Sequence, residues 1–191
     1  REAVDLLVDA THPHAVRISA NAVAGARSAA VPLVRLRRAS WQPRDGDRWT
    51  VVETVGQALA ALGTAPRRAF LTLGRNEVVA FAQAPQHSYL VRSVDPIEPP
   101  LAVPDASYLL ARGPFAEEAE RQLLQAHRIE VIVAKNSGGD ATYAKIAAAR
   151  ALGIEVVLVK APPEPTQAVE TVEAAVEAID HRLASLAERG A

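Results

Sequence analysis

The sequence predicts an α/β protein made of two Rossmann-like αβα domains with mainly parallel sheets. Short runs made mostly of aliphatic residues, such as 4–8 and 129–134, are typical of strands that are covered on both faces. These runs alternate with helical segments, which favours a parallel sheet flanked by helices. A proline-rich stretch interrupts the alternation. We therefore predict an N-terminal domain at 1–94, a linker at 95–104 and a C-terminal domain at 105–191.

The first predicted domain contains five strands and two helices. The predicted strands are 4–8, 33–36, 49–52, 68–74 and 88–94, and the predicted helices are 13–30 and 54–63. Pro13 suits the first turn of its helix, because proline lacks the N–H group that this turn leaves unpaired. Asp45 and Gly46 predict a turn between the second and third strands.

The second predicted domain repeats the alternation. Its predicted strands are 107–113, 129–134 and 154–160, and its predicted helices are 114–127, 138–153 and a last helix after 162–166. Pro114 is expected at the first helical position, with Glu117 and Glu118 in the positive first turn. In the last helix, aliphatic residues at 169, 172, 176, 179, 183 and 186 are spaced by three and four residues. This spacing predicts a stripe that packs in the core.

The composition excludes several classes of function. The chain has no cysteine, which excludes disulfides, thiol nucleophiles and cysteine-based metal sites. No apolar stretch approaches the roughly 20 residues that span a bilayer, so we expect a cytoplasmic protein without a membrane partner. The net charge of −1 gives no global attraction to nucleic acid. The chain also lacks methionine, and we expect that a segment precedes Arg1 in the natural protein.

The first segment whose residues could carry chemistry is DATHPHA at 9–15, where a strand passes into a helix. Asp9 can orient His12 and fix its tautomer. A metal site at His12 and His14 lacks a convincing third ligand, since the other histidines are scattered, so we predict no metal. His14 is equally consistent with solvent exposure, packing or function.

Two later strand ends are also candidates. In AKNSGGDATYAK at 134–145, two glycines allow the backbone to approach a ligand, and a helix start offers N–H groups to an anion. Ser137 can cap the helix or bind a phosphate oxygen, and Lys135 adds charge; a simple cap with a tight turn is equally compatible. The pattern is neither a Walker A motif nor GxGxxG. In ARGPF at 111–115, Arg112 is either a ligand contact at the sheet's carboxyl end or an exposed surface arginine.

Taken together, these stretches resemble the precorrin-6A reductase family of cobalamin biosynthesis. DATHPHA, LTLGRN, YLVRSVDP, ARGPF with EEAE, and KNSGGDATYAKIAAARALGIEVVLV occur in this order and cover nearly the whole chain. The KNSGG segment followed by its helix is specific, and DATHP is close to diagnostic beside it. The resemblance implies NADPH-dependent reduction of the C18=C19 double bond of precorrin-6A to give precorrin-6B. It implies a tetrapyrrole substrate and no metal bound by the protein.

The resemblance also implies roles for particular residues. The substrate-binding residues would be Asp9, Thr11, His12, Arg17, Arg92 and Arg112, and the cofactor-binding residues would be Lys135, Asn136, Ser137, Gly138, Gly139 and Thr142. Lys135, Ser137 and the two glycines would contact phosphate or ribose groups of NADPH, or else substrate carboxylates. His12 would position the substrate in the first place and deliver a proton in the second.

The chain departs from the family pattern in two ways. It lacks the first βαβ unit, with its G-G-T-x-E turn, that helps to hold the dinucleotide. His14 also stands where the family commonly has an aromatic residue. An alternative function is a non-catalytic or transferase-type Rossmann-like domain that binds a nucleotide or a phosphorylated ligand. A third possibility is a structural α/β fragment without activity.

Overall fold

The computed structural model of the chain describes residues 4–163 and 168–190, with side chains in the last helix up to residue 185. The chain divides into two compact units, one built from residues 1–40 and 162–191 and the other from 41–161. Every pair of neighbouring strands among the described residues is parallel. The predicted α/β class with mainly parallel sheets is therefore confirmed.

The elements of the described residues alternate along the chain as expected. The strands are β1 (Leu7–Asp9), β2 (Leu33–Arg35), β3 (Trp49–Val52), β4 (Arg68–Thr72), β5 (Ser88–Ser93), β6 (Ala106–Leu110), β7 (Val131–Lys135) and β8 (Glu155–Val159). The helices are α1 (Val16–Ala29), α2 (Val55–Ala61), α3 (Arg75–Val78), α4 (Glu117–Ala126), α5 (Ala144–Leu152) and α6 (Val172–Gly190). A 3₁₀ helix at Val79–Gln83 follows α3 directly.

In the first unit, β1 and β2 form a two-stranded parallel sheet. The register places Asp9 opposite Arg35 at the carboxyl edge of this sheet. Val169 forms a parallel bridge with Leu36, and its N–H donates to the Arg35 carbonyl at 2.9 Å. This bridge explains why the C-terminal segment belongs to the same unit as the N-terminal strands.

The apolar stripe predicted for the last helix is only partly buried. In α6, Val172, Val176 and Leu183 are 61%, 49% and 44% exposed, whereas Ala175 is 5% exposed. The side chain of Leu186 lies outside the described residues. The described sheet of this unit has two strands, so it is wide enough to bury only a narrow face of the helix. The prediction of core packing is therefore wrong for the three exposed positions.

The second unit holds a six-stranded parallel sheet in the order β3-β8-β7-β4-β5-β6. Successive residues of a strand point to opposite faces, and in β4 both Phe70 and Leu71 are fully buried. Leu71 belongs to a core that includes Ala58 of α2, and Phe70 to a second core with Leu124 of α4 and Ile146 of α5. Helices thus cover both faces, as the continuous apolar strands predict.

The proline-rich stretch at 95–104 is not a linker between units. It connects β5 to β6, which are neighbouring strands of one sheet. Ile97 and Leu101 of this stretch are buried, and the Leu101 N–H donates to the Tyr108 hydroxyl at 2.7 Å. Proline excludes regular structure without preventing a segment from packing. The observed division of the chain therefore differs from the predicted domains at 1–94 and 105–191.

The start of α4 also differs from the prediction. The helix begins at Glu117 with Ala116 as its N-cap, three residues after Pro114. Pro114 therefore lies before the helix and not at its first position. Glu117 and Glu118 do lie in the first turn of the helix, as predicted.

Candidate functional site

The carboxyl ends of β4 and β7 lie side by side in the middle of the six-stranded sheet. After β4 the chain continues to β5 and β6 on one side, whereas after β7 it continues to β8 on the other side. Open α/β sheets bind ligands in the crevice outside the carboxyl ends of two such strands. The predicted cofactor-binding segment, 135–142, lies at this point.

Lys135 at the end of β7 forms an ion pair across the crevice. Its Nζ lies 2.7 Å from Oε2 of Glu77, and the same oxygen accepts the Gly74 N–H at 2.7 Å. A Cβ atom at Gly74 would lie 2.8 Å from that oxygen, so only glycine fits there without displacing Glu77. Sequence reasoning missed Glu77. Its position three residues after Gly74, which closely follows β4, was the available signal, because this is the N3 spacing of a capping glutamate.

The loop that follows β7 carries the two adjacent glycines. Gly138 and Gly139 have φ angles of 64° and 69°, a region in which side chains other than glycine are strained. The Ser137 and Thr142 hydroxyl oxygens lie 3.5 Å apart. Because α5 begins only at Ala144 with Tyr143 as its N-cap, the glycines lie in a loop before the helix. Of the two roles that the sequence allows for Ser137, the helix cap is therefore excluded.

Asn136 is engaged within the protein. Its Oδ1 accepts the Trp41 N–H at 2.8 Å, and its Nδ2 donates to the Trp41 carbonyl at 3.0 Å. The Asn136 backbone N–H donates to the Val159 carbonyl at 2.9 Å. The side-chain amide thus anchors the start of the loop, with both of its polar atoms directed at protein backbone.

Lys145 is a second candidate that sequence reasoning missed. Its side chain is buried in the first turn of α5, and its Nζ donates to the Thr142 carbonyl at 2.7 Å. Burial, together with the positive charge of Arg92, lowers the pKa of Lys145 to about 7, although Glu120 acts in the opposite sense. The surroundings of this side chain thus favour the neutral amine over the ammonium form. A lysine within an alanine-rich helix, AKIAAARAL, was the signal in the sequence.

Arg92 lies in the interior beside Lys145. Its guanidinium forms a two-pronged ion pair with Glu120, with N–O distances of 2.5 and 2.9 Å. The guanidinium carbon also lies 3.8 Å from the centre of the Phe115 ring and 4.9 Å from that of Phe70. Planar contacts of this kind suit arginine better than lysine. The donors of Arg92 are therefore directed at a buried carboxylate.

Two other arginines predicted to bind substrate lie on the surface. Arg17 is an exposed residue of α1 in the first unit, and Arg112 is exposed just after β6 in the second unit. Neither forms an ion pair with a side chain of the described residues. The structure thus places these two guanidinium groups in water.

The first unit has a small cleft, open to solvent and lined mostly by polar residues, at the carboxyl ends of β1 and β2. Asp9 is buried there and pairs with Nε of Arg35 at 3.3 Å. The Asp9 carboxylate also accepts the Thr11 hydroxyl at 2.7 Å. Burial raises the pKa of Asp9, but hydrogen bonds from Thr11, Ser19 and Arg35 outweigh it, so the pKa lies below its ordinary value. Asp9 is therefore a fixed negative charge.

His12 lines the same cleft and is exposed. Its Nδ1 accepts the His14 backbone N–H at 3.2 Å, so in the neutral ring the proton is on Nε2. The bond that sets this tautomer comes from the backbone of residue 14, whereas the sequence suggested the Asp9 carboxylate. The His14 ring lies 5.6 Å from the His12 ring.

Among residues 4–163 and 168–190, no group of three or more acidic or histidine side chains is arranged to hold a metal ion. No helix within these ranges combines the length and the apolar character needed to cross a membrane.

An open parallel sheet with helices on both faces, and with glycines and charged side chains at its switch point, defines a ligand-binding α/β protein of the Rossmann-like class. Residues 1–180 match the family described as precorrin-6x reductase CbiJ/CobK. The chain belongs to this family of reductases, as its motifs suggested.

Individual relatives agree with this assignment. The chain is 54% identical over 184 residues to a precorrin-6A reductase of Sinorhizobium sp., covering 96% of this chain and 70% of the relative. It is 47% identical to a precorrin-6A reductase of Rhodobacter capsulatus, covering 87% of this chain and 66% of the relative. A solved structure of CobK precorrin-6A reductase matches with a TM-score of 0.89 and 43% identity, covering 94% of this chain and 72% of that one.

Proposed function

We propose that the protein reduces the C18=C19 double bond of precorrin-6A with NADPH, giving precorrin-6B in cobalamin biosynthesis. The observation that carries this proposal is membership of the precorrin-6x reductase family over residues 1–180. Relatives at 54% and 47% identity carry the name precorrin-6A reductase, and the choice of NADPH and of the reduced bond follows the motif resemblance.

For the cofactor we propose the loop that follows β7. The residues are Lys135, Asn136, Ser137, Gly138, Gly139 and Thr142. They fit a phosphorylated nucleotide, because the two glycines hold positive φ angles and carry no side chain, and the same segment supplies two hydroxyl groups and, at its start, an ammonium group. When bound, NADPH supplies the hydride. Asn136 acts through the loop conformation, since its amide is bonded to Trp41.

For the substrate we propose Asp9, Thr11, His12, Arg17, Arg92 and Arg112. The exposed Arg17 and Arg112 are suited to bind the carboxylates of a tetrapyrrole. Asp9 carries a negative charge and would repel those carboxylates, so it acts by fixing Thr11. Arg92 is paired with Glu120 and acts by holding the surrounding packing in place.

His12 is proposed to position the substrate and, secondly, to deliver a proton. Reduction of a carbon–carbon double bond adds a hydride to one carbon and a proton to the other. Because the Nδ1 of His12 accepts a backbone N–H, we assign the proton-donating role to Nε2, and the exposed ring can regain a proton from water.

The test is an assay of the purified protein with NADPH and precorrin-6A. We expect loss of NADPH absorbance only when precorrin-6A is present, and a product heavier by two hydrogen atoms. Parallel reactions without the tetrapyrrole, and with NADH, are the controls. Binding of the nucleotide without turnover of precorrin-6A would favour the alternative, a non-catalytic or transferase-type nucleotide-binding domain.

A further inference from the structure

Trp41, which the sequence places in an irregular stretch, is bonded to the loop 136–142 at two points. Its indole Nε1 donates to the Gly139 carbonyl at 2.7 Å. Its backbone N–H and carbonyl are both bonded to the Asn136 side chain. The far end of the loop is held separately, because Lys145 donates to the Thr142 carbonyl. The loop is thus fixed at its start, its middle and its end.

The Trp41 ring is itself held firmly. The residue is 8% exposed, with the Lys145 Nζ 5.1 Å from its ring centre. The Tyr143 ring packs edge-on against it, at 5.7 Å between centres. A tryptophan restrained in this way keeps its indole N–H in one direction, so the Gly139 carbonyl has a fixed partner.

We propose that Trp41 is a positioning residue for nucleotide binding, whose indole N–H holds the Gly138–Gly139 segment in the conformation that accepts the ligand's phosphate. The inference rests on the proposed function of this loop. In a trans peptide the C=O and N–H groups point in opposite directions. With the Gly139 carbonyl turned toward Trp41, the N–H of Asp140 points away from it.

Two adjacent glycines make such a restraint valuable. Glycine has the widest conformational freedom of any residue, so a free Gly-Gly segment would lose much entropy when it closes on a ligand. A loop that already has the bound conformation avoids that cost. Loss of the restraint lowers the competent fraction of the loop, and the apparent Kd rises by the same factor.

The test compares Trp41→Phe with Trp49→Phe. Phenylalanine at 41 keeps an aromatic ring and removes the N–H that bonds to Gly139. Trp49, on β3, is the matched control, because its buried indole N–H has no hydrogen-bond partner among the described residues. NADPH affinity is measured by calorimetry, loop order by hydrogen–deuterium exchange of residues 136–142, and folding by thermal melting.

We expect Trp41→Phe to raise the Kd and the KM for NADPH about three- to tenfold, the range for one hydrogen bond. The kcat at saturating NADPH should change by less than about twofold, because the bound loop recovers its conformation. Loop amides should exchange faster than in Trp49→Phe, in the absence of any ligand. In the Trp49→Phe protein, addition of NADP⁺ should change the emission of Trp41, the tryptophan that remains.

Unchanged loop exchange in Trp41→Phe, relative to Trp49→Phe, would overturn the positioning role whatever the ligand is. If the wild-type protein binds NADPH, a Kd for NADPH that is unchanged in Trp41→Phe would also overturn the positioning role. This result would leave the proposed reductase function intact. Loop exchange could be faster in Trp41→Phe while the wild-type protein binds no NADPH. This result would contradict the proposed cofactor, and with it the nucleotide as the ligand of this loop.

Discussion

At the scale of single residues, His87 shows how burial makes stability depend on pH. The side chain is 1% exposed; its Nδ1 accepts the Arg67 N–H at 3.1 Å, and its Nε2 lies 3.2 Å from the Gly63 carbonyl. Burial lowers the pKa of His87, the Gly63 carbonyl raises it, and the charge of Arg67 lowers it, with a net decrease. The folded protein therefore favours the neutral ring.

The unfolded chain binds the proton more readily than the folded chain, so stability from His87 is present above about pH 6.5 and is lost as the pH falls below it. The loss cannot exceed about 1.4 kcal/mol per pH unit for one proton. In urea unfolding between pH 7.5 and pH 5, the free energy of unfolding should decrease less steeply with falling pH for His87→Gln than for wild type. The exposed His127 supplies the control, and His127→Gln should keep the wild-type dependence of stability on pH. The same dependence in wild type, His87→Gln and His127→Gln would contradict the prediction.

His12 is the residue on which the proposed chemistry depends most directly. We expect His12→Ala to lower kcat/KM for precorrin-6A by about tenfold or more, because both a contact and a donor are lost. His12→Gln retains an N–H near the position of Nε2, so it should recover most of the loss if positioning dominates. A His12→Gln enzyme as slow as His12→Ala would instead assign His12 to proton delivery.

The control for His12 is its neighbour. His14→Ala keeps the backbone N–H that bonds to His12 Nδ1 and removes only the second ring, so steady-state kinetics should stay close to wild type. Wild-type kcat and KM in His12→Ala would remove both proposed roles of this residue.

At the scale of elements, the inner strands of the larger sheet were the most predictable from the sequence, because their residues are buried on both faces. The apolar runs around Phe70, Ile132 and Val157 each contain at least three consecutive buried residues. No other local pattern produces a short uninterrupted aliphatic run so readily in a soluble α/β protein. Strand identity therefore followed from burial alone, without knowledge of which strands are neighbours.

Helix boundaries were less predictable, since they depend on local hydrogen bonds. The sequence gives Pro114 and Gly138 as helix starts, but the helices begin at Glu117 and Ala144. Proline and glycine each suit a turn as well as a helix start. The four-residue α3 was not predicted, because it is too short to show a 3.6-residue period.

The candidate site was predictable where it follows strand ends and unpredictable where it depends on long-range contacts. Lys135 and Gly138 were found because polar and glycine residues follow a buried strand. The bond from Trp41 to Asn136 joins residues 95 positions apart, and the pairing of Asp9 with Arg35 depends on a strand register. Contacts of this kind leave no periodic signal in one sequence.

At the scale of the whole molecule, the prolines of 95–104 led to the wrong prediction of a linker between domains. A sequence shows where regular structure stops, but it does not show what the irregular segment packs against. Residues 95–104 pass between neighbouring strands and contribute Ile97 and Leu101 to the core. The observed division instead returns the segment after 161 to the first unit through the bridge of Val169 with Leu36. This division can be tested by cutting the chain in two different places.

We predict that the fragment 41–161 folds alone, since it contains all six strands of the larger sheet and both cores. The fragment 105–191, which matches the domain predicted from sequence, separates β7 from β4 and β6 from β5 and leaves buried strand faces without cover. Circular dichroism and urea titration should show a cooperative transition for 41–161 and none for 105–191. A cooperative unfolding transition for 105–191, together with none for 41–161, would contradict the observed division of the chain and favour the one predicted from sequence. The reason is that a fragment folds independently only when its core is contained within it.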